Sequence, residues 1–237
     1  MKIERCEQIT QEWFDLHLGR CTASNAADLL RDDLAPYQHY LALKAAEILT
    51  GQVAPNRPPT FEMQWGIDHE ADARRAYSLS EGVFVEQVGF VIADDERFGC
   101  SPDGLVGDKG MIQIKCPSTA KHLSWLIGGT LPIEHLPQMR FELAVNKDRQ
   151  WNQFVSYDPR LPKRYRLFKG PLLMREAAKI PEMLAVADLF MQRVHELIDK
   201  LGETCPPLPD EPRLEEPIYG DMEADIAATE ARWVSEV

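Results

Sequence analysis

Apolar residues recur every three or four positions over much of the chain, which is the pattern of helices that bury one side. This spacing predicts helices over residues 10–18, 36–51, 61–80, 118–127, 132–146 and 173–201. Gly19 and Gly51 end the first two, because glycine readily takes the left-handed conformation that closes a helix. A further short helix follows Ser24, whose hydroxyl suits an N-cap.

Stretches of alternating apolar and polar residues lie between these helices and predict strands. They cover residues 83–92, the runs that begin at Phe98 and Met111, and residues 151–157 and 164–168. The succession of helices and strands predicts an α/β protein with a central mixed β-sheet flanked by helices.

The C-terminal part of the chain differs from the rest in composition. Residues 205–217 contain five prolines, and an acidic segment follows them. This composition predicts a linker and an acidic tail over residues 205–237. Residues 1–204 are then expected to form a single domain.

The net charge of the 237 residues is −12, which argues against non-specific DNA binding by the whole surface. Residues 205–237 carry −7 of it, so residues 1–204 carry only −5 and can present a local basic channel. Five scattered cysteines without a CxxC pair argue for reduced thiols and against a zinc site. No apolar run is long enough to span a bilayer and no signal-peptide pattern is present, so we expect a cytoplasmic protein without membrane partners.

The most informative stretch is Cys100–Leu105 followed by Met111–Pro117. The alternation of side chains along a strand directs Gln113 and Lys115 to the same side. A hairpin through the intervening glycines folds Asp103 back alongside them. Three functional groups are therefore expected to converge at one edge of a sheet.

This arrangement differs from the PD-(D/E)xK nuclease signature only in the glutamine at position 113. Such a site holds Mg²⁺ through oxygen ligands, and the ion neutralises the phosphate that is hydrolysed. Asp103, the side chain of residue 113 and the backbone carbonyl of Ile114 are the expected ligands, and Lys115 is expected to orient and help deprotonate the attacking water. Gln113 keeps an oxygen but loses the charge, so weaker metal binding is expected. Taken alone, the same residues also suit a plain hairpin with an edge lysine.

Two further positions carry candidate chemistry. Glu70 lies on the inward side of the helix over 61–80, and a buried carboxylate needs a partner. The partner is either a metal ion or Arg74, one helical turn away. Arg20 and Ser24 precede the second helix, whose N-terminus suits a phosphate group, although plain capping is the simpler explanation.

The order of these motifs resembles the lambda-type phage exonuclease family, viral recombination nucleases of the PD-(D/E)xK superfamily. The likeness covers roughly residues 5–200, depends on the spacing of several motifs, and implies a restriction-endonuclease-like core. The matching pieces are Trp13 to Ser24, Gly66 to Tyr77, Cys100 to Leu105, Ile112 to Pro117, Gly128 and Gly129, Gln138, and Tyr157 to Arg160.

The resemblance also implies roles for individual positions. Asp103 and Gln113 match the family's metal-binding acids, and Lys115 matches its catalytic lysine. Glu70 matches the helix-borne acid near the second metal, and Gln138 matches a glutamine of the site. The residue that holds the terminal 5′ phosphate matches Ser24, with Thr22 beside it.

The implied activity is 5′→3′ digestion of one strand of linear double-stranded DNA with Mg²⁺, or Mn²⁺ in its place, at a two-metal site. Its 3′ overhangs serve phage recombination through a single-strand annealing protein. The implied assembly is a ring-shaped homotrimer in the bacterial host cytoplasm. An apolar wedge separates the strands, and Phe61 or Met63 is the candidate, although burial in the protein's own core explains either residue equally well.

Two departures from the family leave alternatives open. The family's arginine ahead of Leu-Gly is His17 here. His17 is therefore a candidate for the 5′ phosphate site, and Arg20 is the alternative phosphate contact. Gln113 is either a deliberate change that traps substrate or metal, or a natural variant with weak or metal-shifted activity. The alternatives to an exonuclease are a PD-(D/E)xK endonuclease of repair or restriction type and a DNA-end-binding protein that has lost catalysis.

Overall fold

The structure is a computed structural model that describes residues 1–32, 34–53 and 58–205. One compact unit comprises Met1–Asp199, and a second begins at Lys200. The loop expected over 54–59 lies mostly outside the described residues, as does the linker and tail from residue 206 onwards. None of the described helices combines the length and the apolar character needed to cross a bilayer.

The helices largely follow the predicted pattern. The long helix α4 begins after Thr60, whose hydroxyl accepts a hydrogen bond from the Met63 N–H at 3.3 Å, and it ends at Gly82 in the left-handed conformation. The bounds are α1 Gln11–Asp15, α2 Ala26–Leu29, α3 Ala35–Thr50, α4 Phe61–Glu81, α5 Thr119–Gly128, α6 Leu136–Val145 and α7 Ile180–Thr204.

The strands form two sheets, and helices flank them, which confirms the predicted mixed α/β architecture. The smaller sheet has the order β1-β4-β5-β2 and the larger one β3-β6-β7-β8-β9, in which only β7 and β8 are parallel. The bounds are β1 Lys2–Glu4, β2 Cys21–Thr22, β3 Val85–Glu86, β4 Phe90–Ile92, β5 Phe98–Cys100, β6 Gly104–Val106, β7 Gly110–Lys115, β8 Trp151–Tyr157 and β9 Leu167–Met174.

Strand β7 separates two apolar clusters because its side chains alternate between the faces of the larger sheet. Ile112 and Ile114 pack with Ala73 of α4 on one face. Met111 packs with Met139 of α6 on the other. Helices α4 and α6 therefore cover opposite faces of the larger sheet. Strand β6 begins and strand β7 ends at the same edge of this sheet, between the two helices.

Four local predictions were wrong. The helix expected over 173–201 begins only at Ile180, because β9 continues to Met174 and a 3-10 turn follows it. The single strand expected over 83–92 is two short strands, β3 and β4, which belong to different sheets. The strand expected over 164–168 is β9, which starts later because residues 163–165 form a 3-10 turn. Ser24 lies inside a 3-10 turn over Ala23–Asn25 and makes no capping hydrogen bond, since its hydroxyl instead bonds to neighbouring side chains.

Gly110 and Trp151 make a close contact in the larger sheet. Gly110 begins β7, and a Cβ at this position would overlap the indole ring of Trp151 on β8. We expect Gly110→Ala to lower the free energy of unfolding by about 2 kcal/mol, because the packed ring must move. Gly202→Ala on α7 is the control: it meets no atom within 4 Å and should stabilise the helix by roughly 0.5–1 kcal/mol. Urea denaturation measures both, and equal effects would contradict the packing argument.

Candidate active site

Asp103 lies in the turn between β5 and β6, and strand β7 holds its carboxylate in place. Oxygen Oδ2 accepts hydrogen bonds from the side-chain Nε2 of Gln113 at 2.5 Å and from the backbone N–H of Ile114 at 2.6 Å. Both bonds go to the same oxygen, which leaves Oδ1 for a ligand. The structure thus brings the turn aspartate and position 113 together, as the strand pattern predicts.

The backbone of Ile114 contributes to the same edge. In a strand, the N–H and C=O of one residue point to the same side. Because the Ile114 N–H faces Asp103, its carbonyl oxygen also faces the Asp103 side of β7. Lys115 follows, and it lines the same cavity as Asp103.

Glu70 approaches this edge from α4 and has Arg74 as its partner. Its Oε1 accepts hydrogen bonds from Nη2 of Arg74 at 2.9 Å and from Nη1 at 3.3 Å. Nη1 of Arg74 also donates to the backbone carbonyl of Asp103 at 3.2 Å. The arginine therefore pairs with the half-buried glutamate, as one of the two alternatives from the sequence had it, and ties α4 to the Asp103 turn.

Burial makes the ionised forms of the Glu70 and Asp103 carboxylates unfavourable. Burial, followed by the nearby charge of Asp103, raises the pKa of Glu70 to about 7, although Arg74 and Lys115 oppose the shift. Burial likewise raises the pKa of Asp103, while Lys115 and the Ile114 N–H act against the rise. A cation at this edge would remove the repulsion between the carboxylates and stabilise their ionised forms.

On the opposite face, helix α6 contributes a chain of amides that ends in Glu142. Gln138 donates from Nε2 to Oε1 of Gln113 and to Oε1 of Glu142, at 3.0 Å each. Asn152 of β8 donates from Nδ2 to Oε2 of Glu142 at 2.7 Å. Burial, followed by the charge of Asp103, raises the pKa of the fully buried Glu142 to about 8. The sequence analysis missed Glu142, although its spacing of four from Gln138 places both on one side of α6.

The amide of Gln113 is engaged at both ends. Its Nε2 faces Asp103, and its Oε1 accepts the hydrogen bond from Gln138. The sequence analysis expected the oxygen of residue 113 to be a metal ligand. In the structure this oxygen is turned to α6, so the amide supports the Asp103 carboxylate through its N–H group.

A cavity of about 870 Å³ opens beside these residues. Glu70, Asp103, Ile114 and Lys115 line it, together with the two wedge candidates at the start of α4. These candidates, Phe61 and Met63, are exposed to solvent over 79% and 60% of their surface. Neither therefore belongs to the protein's own core, as the alternative explanation required.

Two of the expected phosphate-binding residues are engaged within the fold. The guanidinium of Arg20 donates to the backbone carbonyls of Glu96 at 2.9 Å and Leu16 at 3.0 Å. The ring of His17 lies 4.0 Å from that of Trp13, and burial lowers the pKa of His17 to about 4, so its imidazole is neutral at pH 7. Neither residue lines the cavity with Asp103.

The hydroxyls of Thr22 and Ser24 lie side by side, 3.2 Å apart, outside that cavity. Thr22 is buried and its backbone N–H donates to the hydroxyl of Tyr40 at 3.0 Å, whereas Ser24 is exposed. The assignment of a terminal phosphate to this pair stays a prediction.

Comparison with known families identifies the chain. The model of the YqaJ-like viral recombinase domain matches residues 12–149, which is more than half of the 237 residues and includes the whole Asp103 edge. The chain belongs to the YqaJ-like viral recombinase family. This membership confirms the resemblance to phage-type exonucleases. No curated protein sequence matches the chain.

Solved structures of the same type agree with the family assignment. The alkaline exonuclease LHK-Exo from Laribacter hongkongensis is 37% identical, with a TM-score of 0.75 over 82% of this chain and 97% of that one. Its complex with dAMP matches with 36% identity and the same TM-score and coverage. A phage-related exonuclease from Haemophilus somnus 129PT, at 14% identity and a TM-score of 0.58 over 79% and 99% of the chains, shares the fold alone.

The donor atoms of this YqaJ-like site suit a hard divalent cation. Among the described residues, no group of three or more His, Cys, Asp and Glu side chains is arranged to hold a metal. Mg²⁺, however, commonly uses one or two carboxylates and completes its shell with water and substrate phosphates. Asp103, Glu70 and the Ile114 carbonyl supply such a set, and the repulsion between the two carboxylates favours a cation between them.

The raised pKa values give a testable dependence on pH. The pKa of Glu70 is higher in the folded protein than its ordinary value of 4.5. Its contribution to stability is therefore complete below about pH 4.5 and is lost as the pH rises through about 7. We expect Tm of the metal-free protein to fall between about pH 5 and pH 8, and Mn²⁺ to raise Tm more at about pH 8 than at pH 6.

Thermal unfolding with and without MnCl₂ measures this effect. Glu70→Gln should weaken both the pH dependence and the Mn²⁺ response. Asp72→Asn, which changes an exposed acid on the same helix, is the matched control and should keep both. The same Mn²⁺ response in the Glu70→Gln variant as in the unaltered protein would contradict the assignment of Glu70 to the cation site.

Proposed function

We propose that the protein is a metal-dependent exonuclease that degrades the 5′-ended strand of linear double-stranded DNA in the 5′→3′ direction and leaves 3′ overhangs. One observation supports this above all others: Asp103, Glu70 and Lys115 border one cavity in a chain of the YqaJ-like family. The alkaline exonuclease LHK-Exo, which is 37% identical, has been crystallised with dAMP, a nucleotide of the kind that such hydrolysis would release.

The proposed chemistry divides among the residues of the edge. Asp103, Glu70 and the carbonyl of Ile114 hold Mg²⁺ or Mn²⁺ at a two-metal site, and the bound ions supply charge neutralisation of the phosphate and of the leaving oxygen. Lys115 orients the attacking water and helps to remove its proton. Gln113 donates its N–H to Asp103 and keeps that carboxylate directed into the cavity.

The surroundings of the site suit a nucleic-acid end. Phe61 and Met63 are exposed at the cavity rim and can insert between the strands as a wedge. Trp65 and Trp125 add aromatic surface to the cavity wall, which suits stacking of an unpaired base. The 5′ phosphate is assigned to Ser24 and Thr22, as the family resemblance implies.

The assembly and partners are proposed by family analogy. A ring-shaped homotrimer encloses the DNA, and a single-strand annealing recombinase receives the 3′ overhang in the cytoplasm of the bacterial host. Residues 1–204 form the exonuclease domain, and residues 205–237 form a linker and acidic tail.

A DNA-end-binding protein without turnover is the second candidate function. The observation in its favour is the side chain of Gln113, whose oxygen is bound to Gln138 and carries no charge. This candidate predicts tight binding to duplex ends and no hydrolysis, even in a Gln113→Glu variant.

The direct experiment uses linear duplex DNA with a 5′ phosphate and a fluorescent label at either the 5′ or the 3′ end. With Mg²⁺ we expect early release of the 5′ label as a mononucleotide, no early release of the 3′ label, and no reaction in EDTA. Closed circular DNA should stay intact, and nicking of it would indicate the endonuclease alternative. No nucleotide release by either the unaltered protein or Gln113→Glu would overturn the exonuclease proposal.

A further inference from the structure

We propose that Glu142 is a positioning residue that fixes the orientation of the Gln138 and Gln113 amides, and through them the carboxylate of Asp103. This inference rests on the proposed function, because it assigns Glu142 to the same site. Glu142 does not line the cavity, so it acts on the reaction only through the two glutamines.

Glu142 determines the direction of the hydrogen bonds along the chain of amides. A carboxylate only accepts hydrogen bonds, whereas an amide has one accepting and one donating end. Because Oε1 of Glu142 accepts from Gln138, the NH₂ group of Gln138 must point into the chain of amides. That NH₂ group then donates to the oxygen of Gln113, and the NH₂ group of Gln113 is left to face Asp103.

Reversal of either amide would be unfavourable while Glu142 is ionised. A turned Gln138 would place its oxygen against a carboxylate oxygen of Glu142. A turned Gln113 alone would place its oxygen against Asp103 and its NH₂ group against the NH₂ group of Gln138. One carboxylate at the far end therefore selects one arrangement for the whole chain of amides.

Within the described ranges of the chain, the surroundings of Glu142 contain no cationic donor to its carboxylate. It is fully buried, and the side chains that donate to it, Gln138 and Asn152, are both neutral. Among the described residues, the other deeply buried glutamate is Glu47, which instead pairs with the ammonium group of Lys44 at 2.7 Å. A buried carboxylate without a cationic partner is costly to maintain, and orientation of the amides gives a reason for its presence at this position.

Glu142 also bears on the missing acid at position 113. The sequence pattern calls for an acid at position 113, and the chain has an amide there. Glu142 places a carboxylate two hydrogen bonds behind that amide. Through Gln138, this carboxylate determines which end of the Gln113 amide faces Asp103, although position 113 itself is neutral.

A double-mutant cycle that combines Glu142→Gln with Gln113→Glu tests the role of Glu142. An amide at position 113 has an orientation to be fixed, whereas a glutamate there has two equivalent oxygens. Glu142→Gln should therefore lower kcat by roughly 10–30-fold in the unaltered background. The same change in a Gln113→Glu background should alter kcat by no more than about twofold. KM for the DNA should stay nearly constant throughout, since Glu142 does not touch the substrate.

A second cycle does not depend on an acid at position 113. Gln138→Leu interrupts the chain of amides, so adding Glu142→Gln to it should cause no further loss of kcat. The assays are run at about pH 9, above the pKa of Glu142, so that its carboxylate is ionised. Glu47→Gln is the control for loss of a buried carboxylate, and it should lower Tm without changing kcat per folded protein.

Calorimetric titration with Mn²⁺ gives a readout that is independent of turnover. We expect Glu142→Gln to weaken Mn²⁺ binding by about tenfold when position 113 is glutamine and not when it is glutamate. The same loss in both backgrounds, no loss in either, or no Mn²⁺ binding at all would overturn the inference. Coupled Mn²⁺ affinities without nucleotide release would support the role of Glu142 and overturn the exonuclease proposal. Nucleotide release without coupled Mn²⁺ affinities would support the exonuclease proposal and overturn the role of Glu142.

Discussion

Asp103→Asn is expected to lower kcat by roughly 10³-fold, the largest loss from any single substitution in the protein. Asparagine keeps the size of the side chain and one oxygen, but it removes the charge that holds the divalent cation. The hydrogen bonds from Gln113 and from the Ile114 N–H can still reach the remaining oxygen. The loss therefore reports the charge of the carboxylate and not a collapse of the turn.

The same substitution should stabilise the metal-free protein. Burial raises the pKa of Asp103, so its ionised form disfavours the folded state at neutral pH. Removing the charge should raise Tm by roughly 2–4 °C, while the Mn²⁺-dependent increase in Tm disappears. Asp108→Asn, which changes an exposed acid in the next turn, is the control and should affect neither kcat nor the Mn²⁺ response. An active Asp103→Asn variant would remove Asp103 from the cation site.

Lys115→Met is expected to lower kcat by roughly 10²-fold with little change in KM. Methionine keeps much of the length of the side chain and loses the ammonium group that orients the attacking water. The positive charge of Lys115 also lowers the pKa of both Glu70 and Asp103. In the variant both carboxylates should therefore be harder to ionise, and the rise of Mn²⁺ affinity with pH should move to higher pH.

Steady-state kinetics on labelled duplex and Mn²⁺ titrations at several pH values measure the two consequences separately. Lys109→Met provides the control, because Lys109 is an exposed lysine six residues earlier on the hairpin. An unchanged kcat in Lys115→Met would contradict the proposed role of Lys115 toward the attacking water. A reduced kcat with an unshifted pH profile of Mn²⁺ affinity would support the role of Lys115 in orienting the water. It would contradict the effect of its charge on the pKa of Glu70 and Asp103.

Local patterns predicted the parts of the site that lie close together in the sequence. The alternation over β7 placed Gln113 and Lys115 on one side, and the glycine-rich hairpin placed Asp103 beside them. The helical spacing over 61–80 placed Glu70 on the inward side with Arg74 one turn away. Each of these inferences uses a backbone repeat of two or 3.6 residues, which hydrophobic burial enforces locally.

Long-range pairing decided what the sequence did not. The strand pattern over 83–92 is the same whether it forms one strand or two, and only its pairing with β6 and with β1 divides it between two sheets. The hydroxyl of Ser24 suited an N-cap, yet the packed 3-10 turn gave it side-chain partners instead.

The sequence by itself determined that the chain is a mixed α/β protein with an Asp103 hairpin of nuclease type, because alternation and turn chemistry act between neighbouring residues. Only the tertiary structure decided that Gln113 turns its oxygen to α6 and that Glu142 stands behind it. The first contact joins residues 25 positions apart, on a strand and a helix that meet across the sheet, and it gives the second contact, one turn along that helix, its place behind Gln113. No periodicity of the chain records which polar end of an amide faces which neighbour, because the folded surroundings select it.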